Sequence, residues 1–137
     1  MALAAAMEGL TVIDFTTIVA GPWATRLMAD CGAEVIKIET AGEGDLMRFV
    51  PPIVGGASRV FAQFNRGKKS VVLDLKAPAD LDLVRRLIDG ADVVVENFRP
   101  GVMARLGLGY DDLSARNPRL VYGSISGFGQ DGPLAGA

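Results

Sequence analysis

The stretch Ala91–Gly107, ADVVVENFRPGVMARLG, decides how the rest of the chain is read. Its apolar run Val93-Val94-Val95 has the length and β-branched character of a fully buried strand. The run breaks off in Glu96, Asn97, Phe98 and Arg99, after which Pro100-Gly101 opens a short helical pattern. In open α/β sheets, such a junction of strand, polar loop and helix is where ligands bind. Asn97 offers both a donor and an acceptor, and the guanidinium of Arg99 suits phosphate and carboxylate oxygens, so these two are the first candidate site residues. By spacing alone, a merely solvated loop would look the same.

Working outward, Thr11–Phe15 (TVIDF) reads as a β-rich segment that leads through Thr16–Ala20 into Gly21-Pro22, with Pro22 suited to the first helical position. Ala24, Leu27, Met28 and Cys31 then recur at helical spacing, which predicts an inward face, and Gly32 can end the helix. Glu34–Glu39 (EVIKIE) alternates as a strand. The two strands and the short crossover between them make a β-α-β unit, with parallel pairing and a right-handed connection, the beginning of a doubly wound sheet. From Thr40 to Lys69 the pattern dissolves into glycine, proline and charge, and so long a loop in a compact domain points to function. Ser70–Leu75 resumes as a strand, and Pro78 starts a helix with Leu81, Val84, Leu87 and Ile88 inward and Gly90 as its stop. Pro100–Gly107 and Tyr110–Arg116 read as two short helices, and Arg119–Ser126 as a last strand. The glycine-rich GFGQDGPLAGA that follows is expected to lead into further polypeptide, which makes the chain the N-terminal part of a longer protein.

Composition narrows the function classes. A net charge of -2 gives no basic surplus for nucleic acid or for an anionic membrane, so any anion site must be local. The start, MALAAAMEGL, lacks a positive n-region and no segment reaches membrane-spanning length, so a cytoplasmic protein is expected. A single cysteine, Cys31, makes no internal disulfide and fits a small buried hydrophobe in the first helix. The chain has no histidine, which removes Ser-His-Asp and Cys-His catalysis and the commonest metal ligand; no metal site is expected.

Gly127, Gly129 and Gly132 spell G-x-G-x-x-G after a predicted strand, but Pro133 follows and no helix comes next. The pyrophosphate would lack the helix N-terminus that makes this fingerprint work. Asn65–Lys69 (NRGKK) gathers three cations that could hold phosphates, or could equally be a solvated turn guarding a hydrophobic strand. Arg48 and Arg105 are further candidates for anion contacts. Asp14, Glu39, Asp45, Asp74, Glu96 and Asp131 fall at or near predicted element ends, and nothing in the sequence pairs any two of them as acid and base.

Four blocks taken in order carry a resemblance: GLTVIDFTTIVAGPWATRLMADCGAEVIKIE, NRGKKSVVLDLK, ADVVVENFRPGVMARLGLGYDDL and NPRLVYGSISGFGQDGP. Together they resemble the signature blocks of the class III coenzyme A transferase family, which includes formyl-CoA transferase, carnitine CoA-transferases and alpha-methylacyl-CoA racemase. The resemblance spans Met7 to Pro133. It implies a Rossmann-like, doubly wound, mostly parallel α/β sheet with helices on both faces, residues 1–137 forming the N-terminal CoA-binding part of the family's large domain. It also implies coenzyme A or acyl-CoA as the bound substrate, a carboxylic acid acceptor as the second substrate, and a homodimer whose subunits interlock. Carried over by motif, the CoA-contacting positions are Val19, Ala20, Leu73, Asp74, Leu75, Lys76, Asn97, Phe98, Arg99 and Arg105. One departure is Thr40, where the family often has a basic residue; a phosphate contact is then either absent or supplied by Arg48 or the Lys68-Lys69 pair.

The resemblance places no catalytic residue in this chain. In the transferases an aspartate attacks the thioester and passes through an aspartyl-CoA intermediate; in the racemases a His and an Asp exchange the α-proton. Both sets are expected downstream of Ala137. The expected activity is CoA transfer between carboxylic acids by the full-length protein, with this chain alone inactive. Racemisation of acyl-CoA and a non-catalytic nucleotide-binding or interaction module are the alternatives.

Overall fold

A computed structural model of the chain describes residues 5–136. Its centre is β1 (Thr11–Asp14), which pairs in parallel with β2 (Glu34–Thr40) on one side. In the hairpin β3 (Ile53–Val54) and β4 (Ala57–Ser58), Gly55 and Gly56 supply the positive φ angles that a two-residue turn needs. The main sheet continues with β5 (Lys69–Leu73), β6 (Val93–Glu96) and β7 (Val121–Ser124), in the order β5-β2-β1-β6-β7, every neighbouring pair parallel. This is the doubly wound α/β sheet expected from the sequence. Strand order reverses between β1 and β6, beneath the stretch with which the sequence reading began.

Two apolar layers flank the sheet because side chains alternate along each strand. On one face Ile13, Phe15, Ile38 and Val94 pack with Val84 and Ile88 of α3 (Pro78–Asp89), Met103 of α4 (Val102–Arg105) and Leu113 of α5 (Tyr110–Arg116). On the other, Val12, Val35 and Val95 meet Met28 and Ala29 of α1 (Ala20–Asp30). The helix predicted from Pro78 is present, with Val84 and Ile88 fully buried and Leu81 and Leu87 packed against the core.

Helix α1 departs from expectation. It begins at Ala20, so Pro22 is its third residue, and its buried positions are Gly21, Pro22, Thr25 and Arg26. Leu27 and Cys31 of the predicted inward stripe are exposed, which overturns the reading of Cys31 as a buried hydrophobe. The reason lies in polar partners: Thr25 donates to Asp14, and Arg26 pairs with Asp30 while its guanidinium lies 4.6 Å from the Trp23 ring centre. Gly21 is fixed by contact, since a Cβ there would lie 2.3 Å from Thr16 side-chain carbons.

The segment from Thr40 to Lys69 is not one loop. Asp45 caps a 3-10 turn (Leu46–Phe49) by accepting the Met47 N–H, the hairpin follows, and Ser58 caps α2 (Arg59–Asn65) by accepting the Phe61 N–H. Helix α2 packs on α1, with Trp23 and Phe64 edge to face at 5.7 Å.

Candidate functional site

At the carboxyl end of β6, Glu96 accepts the Phe98 N–H at 2.8 Å and the hydroxyl of Ser124. This turns the chain so that Asn97 faces the loop leaving β1. The Asn97 amide then bridges the reversal point of the sheet. Its Oδ1 accepts the Thr17 N–H and its Nδ2 donates to the Thr17 carbonyl, both at 2.9 Å. Two loops far apart in sequence are joined by one side chain that mimics a peptide group.

Beside this bridge lies a cleft of about 420 Å³ walled by Ala20, Asn97, Phe98 and Arg99 on one side and by Ile125, Ser126, Gly127 and Phe128 on the other. The Phe98 ring also borders a second cleft, of about 260 Å³, with Asp74, Leu75, Lys76, Val102 and Arg105. A third, of about 310 Å³, shares Arg99 with the first and Arg105 with the second. Of the ten residues named from the sequence, eight therefore line adjoining clefts around the start of α4. Val19 stands exposed beside Ala20, its carbonyl accepting the Trp23 N–H, and Leu73 is buried in the core at the end of β5; neither lines a cleft. The walls contributed by Ile125–Phe128 were not named as site residues from the sequence, where Ile125 and Ser126 closed the last predicted strand and Gly127 opened the glycine-rich end.

The electrostatics separate free cations from committed ones. Arg99 and Arg105 have no carboxylate partner among the described residues, and Lys76 is exposed. The cluster NRGKK is spent internally: Arg66 pairs with Asp30, Lys69 with Glu34, and Lys68 with Asp14 at 2.8 Å. Lys68 also donates to the Pro22 carbonyl and to Asn65 Oδ1. Burial pushes the Lys68 ammonium below its usual range, against the pull of Asp14. Held in these pairs, the cluster favours the second of its two readings, a turn beside a hydrophobic strand, over a phosphate site. Arg48 is likewise committed, reaching Glu39 with two hydrogen bonds of 2.7 and 2.6 Å and lying 3.9 Å from the centre of the Phe61 ring. Arg48, Lys68 and Lys69, the residues expected to stand in for a basic residue at position 40, are thus all paired with carboxylates.

The committed charges form a buried layer under α1. Side chains that are apolar early in β1 and β2 (Val12, Val35) give way on the same face to Asp14, Lys37 and Glu39, all buried. Asp14 accepts from Thr16, Thr25 and Lys68; Lys37 pairs with Asp45 at 3.0 Å; Glu39 is held by Arg48 and Ser70. Three carboxylates meet three cations, which is what allows these charges to leave water. The sequence carried a signal of this layer in β2, where Lys37 and Glu39 alternate with Ile36 and Ile38.

The three clefts offer free cations, an aromatic ring and apolar walls, a combination fit for a ligand with anionic and planar parts. Among the described residues the one carboxylate on their walls, Asp74, faces its own turn, accepting the Lys76 N–H at 2.9 Å. The arrangement is suited to binding; among the described residues its walls set no acid beside a base.

Among known proteins, the profile of CoA-transferase family III matches residues 7–137. The chain is 52% identical over 128 residues to acetyl-CoA:oxalate CoA-transferase of Acetobacter aceti, covering 93% of this chain and 33% of that protein. It is 46% identical over 136 residues to succinate–glutarate CoA-transferase of Agrobacterium fabrum, covering 94% and 34%. The crystal structure of a CAIB/BAIF family protein from Brucella suis superposes with a TM-score of 0.91 at 42% identity, over 98% of this chain and 36% of that one. The chain spans about a third of the length of the relatives it matches.

Proposed function

Because the chain belongs to CoA-transferase family III, we propose that the clefts at the reversal point of its sheet bind the nucleotide portion of coenzyme A. The observation that carries this reading is the convergence of Phe98, Arg99, Arg105 and Lys76 on adjoining clefts, with the two arginines free of carboxylate partners among the described residues. Guanidinium and ammonium groups hold phosphate oxygens, and the Phe98 ring gives a planar base an apolar wall. Reaching from Lys76 to Ala20, the clefts would run the carrier across the carboxyl ends of the strands, where open α/β sheets take ligands.

The whole protein, in this reading, moves CoA from an acyl-CoA to a carboxylic acid. A carboxylate attacks the thioester carbonyl and releases CoA thiolate, leaving a mixed anhydride; the thiolate attacks the enzyme carboxyl of that anhydride and frees the first acid, leaving an aspartyl-CoA thioester. The acceptor acid then attacks that thioester, and the returning thiolate takes up the new acyl group. The attacking aspartate belongs to the two thirds of the family's length outside this chain, which contributes the carrier's binding surface. A homodimer in the cytoplasm belongs to the same reading. The names of the relatives above, both CoA-transferases, favour transfer over racemisation.

Calorimetric titration of the chain with CoA tests the site. Arg105→Ala is expected to weaken binding roughly tenfold, the loss of a hydrogen-bonded charge contact. Arg86→Ala, on the exposed side of α3, leaves it unchanged. Equal affinities for wild type and Arg105→Ala would overturn the placement, and transfer or α-proton exchange by this chain alone would overturn the assignment of the chemistry to other segments.

A further inference from the structure

The loop that joins β1 to α1 holds a conformation its sequence does not favour. Ile18 has φ +73°, a left-handed geometry that β-branched side chains avoid. Such a conformation persists only where the surroundings over-determine it, and it clusters where a ligand is bound or gripped. Here the backbone groups that lead into it are held, from the Thr16 N–H to the Ile18 N–H. Thr16 donates its N–H and hydroxyl to Asp14 Oδ1 at 2.9 and 2.5 Å, and its carbonyl accepts Lys37 Nζ at 2.5 Å. Thr17 is gripped by Asn97, and the Ile18 N–H points to Asp45 Oδ1 at 3.4 Å. Asp45 Oδ2 and Lys37 Nζ close the frame at 3.0 Å, with side chains 0% and 1% exposed.

A fully buried ion pair is a poor stabiliser compared with a packed apolar pair of similar size, so its presence calls for a use. What it touches is the strained loop, and that loop delivers Ala20 to the wall of the largest of the three clefts. We propose that Lys37 and Asp45 are positioning residues: as a pair, they lock Thr16–Ile18 in the left-handed turn that sets the backbone edge of the CoA site. This rests on the reading of the clefts as that site. Lys37 draws the Thr16 carbonyl down toward β2, Asp45 draws the Ile18 amide toward the 3-10 turn, and the turn between them has no relaxed alternative while both hold. Asp45 also caps that 3-10 turn, so the turn and the loop share one anchor.

The test combines CoA titration by calorimetry with amide NMR of the intact chain. Asp45→Asn keeps an acceptor for the Ile18 N–H but leaves Lys37 without its counter-charge. The amides of Thr16–Ile18 are expected to shift and the Ile18 coupling constant to leave its left-handed value, while those of β1, β2 and β6 stay. CoA affinity falls about tenfold. Adding Ile18→Gly recovers most of that loss, because glycine adopts this φ without penalty; a pair that only stabilised the fold would show no such rescue. Ile18→Pro, which forbids positive φ and removes no buried charge, lowers affinity as well and decides the matter if Asp45→Asn does not fold. Absence of CoA binding by the wild-type chain would overturn the site reading and this role with it. Wild-type binding that Asp45→Asn and Ile18→Pro each leave within about twofold would overturn the role alone.

Discussion

On Glu39 four hydrogen bonds converge: two from Arg48, one from the Ser70 hydroxyl and one from the Asp45 N–H. Burial pushes this carboxyl up, but the donors outweigh it and hold it at about 2, against 4.5 for a free glutamate. A folded pKa below the unfolded one means that the stabilisation is complete above about 4.5 and is lost as pH falls toward about 2. Glu39→Gln is therefore expected to flatten the acid limb of the stability curve across that window. At neutral pH it destabilises by at most about 3 kcal/mol, an upper bound because Arg48 is partly exposed and solvent screens the pair. Urea midpoints measured from pH 7 down to pH 2 check this, and parallel curves for the two proteins would contradict it.

Among the elements, helix α1 gives the sharpest contrast between pattern and packing. Leu27→Asp is expected to change the unfolding free energy by less than about 1 kcal/mol, because Leu27 is 46% exposed. Thr25→Val, nearly the same shape, removes the hydroxyl that donates to buried Asp14 at 2.7 Å and costs about 1–2 kcal/mol. Denaturant unfolding ranks the two, and the reverse order would restore the apolar stripe as the helix's inner face. The strands were legible because each is a short β-branched run closed by turn residues, and TVID, EVIKIET and VVVE sit where those runs do. The face of α1 was not, since its inner contacts are polar and their partners lie in other elements. The site divides in the same way. Asn97 and Arg99 were readable from a strand end and the residue types that follow it. The fate of NRGKK was not, because Asp30, Glu34 and Asp14 are distant in sequence and spacing alone does not bring them to the cations. Helix α2 was missed because RVFAQFN, at seven residues, is too short for its apolar spacing to repeat.

For the molecule as a whole, the arrangement of apolar surface matters more than its total. Phe49 and Ile53 line a cleft of about 400 Å³ with Phe61, beside exposed Leu46 and Val54, while Trp23, Ile18 and Val19 add apolar surface around α1. Exposed apolar surface of this kind promotes association. Sedimentation velocity of the chain is expected to show a coefficient that rises with concentration across the micromolar range; a single monomeric boundary throughout would contradict this.

Strand β1 is flanked on one side by Val35, Ile36 and Lys37 and on the other by Val93, Val94 and Val95. During synthesis the first neighbour leaves the ribosome soon after β1 itself, whereas the second emerges only once helix α3 has been made. In the interval the central strand has one row of amides and carbonyls without a mate, so a nascent chain paused between Leu73 and Val93 is the species most open to capture by another copy's strand.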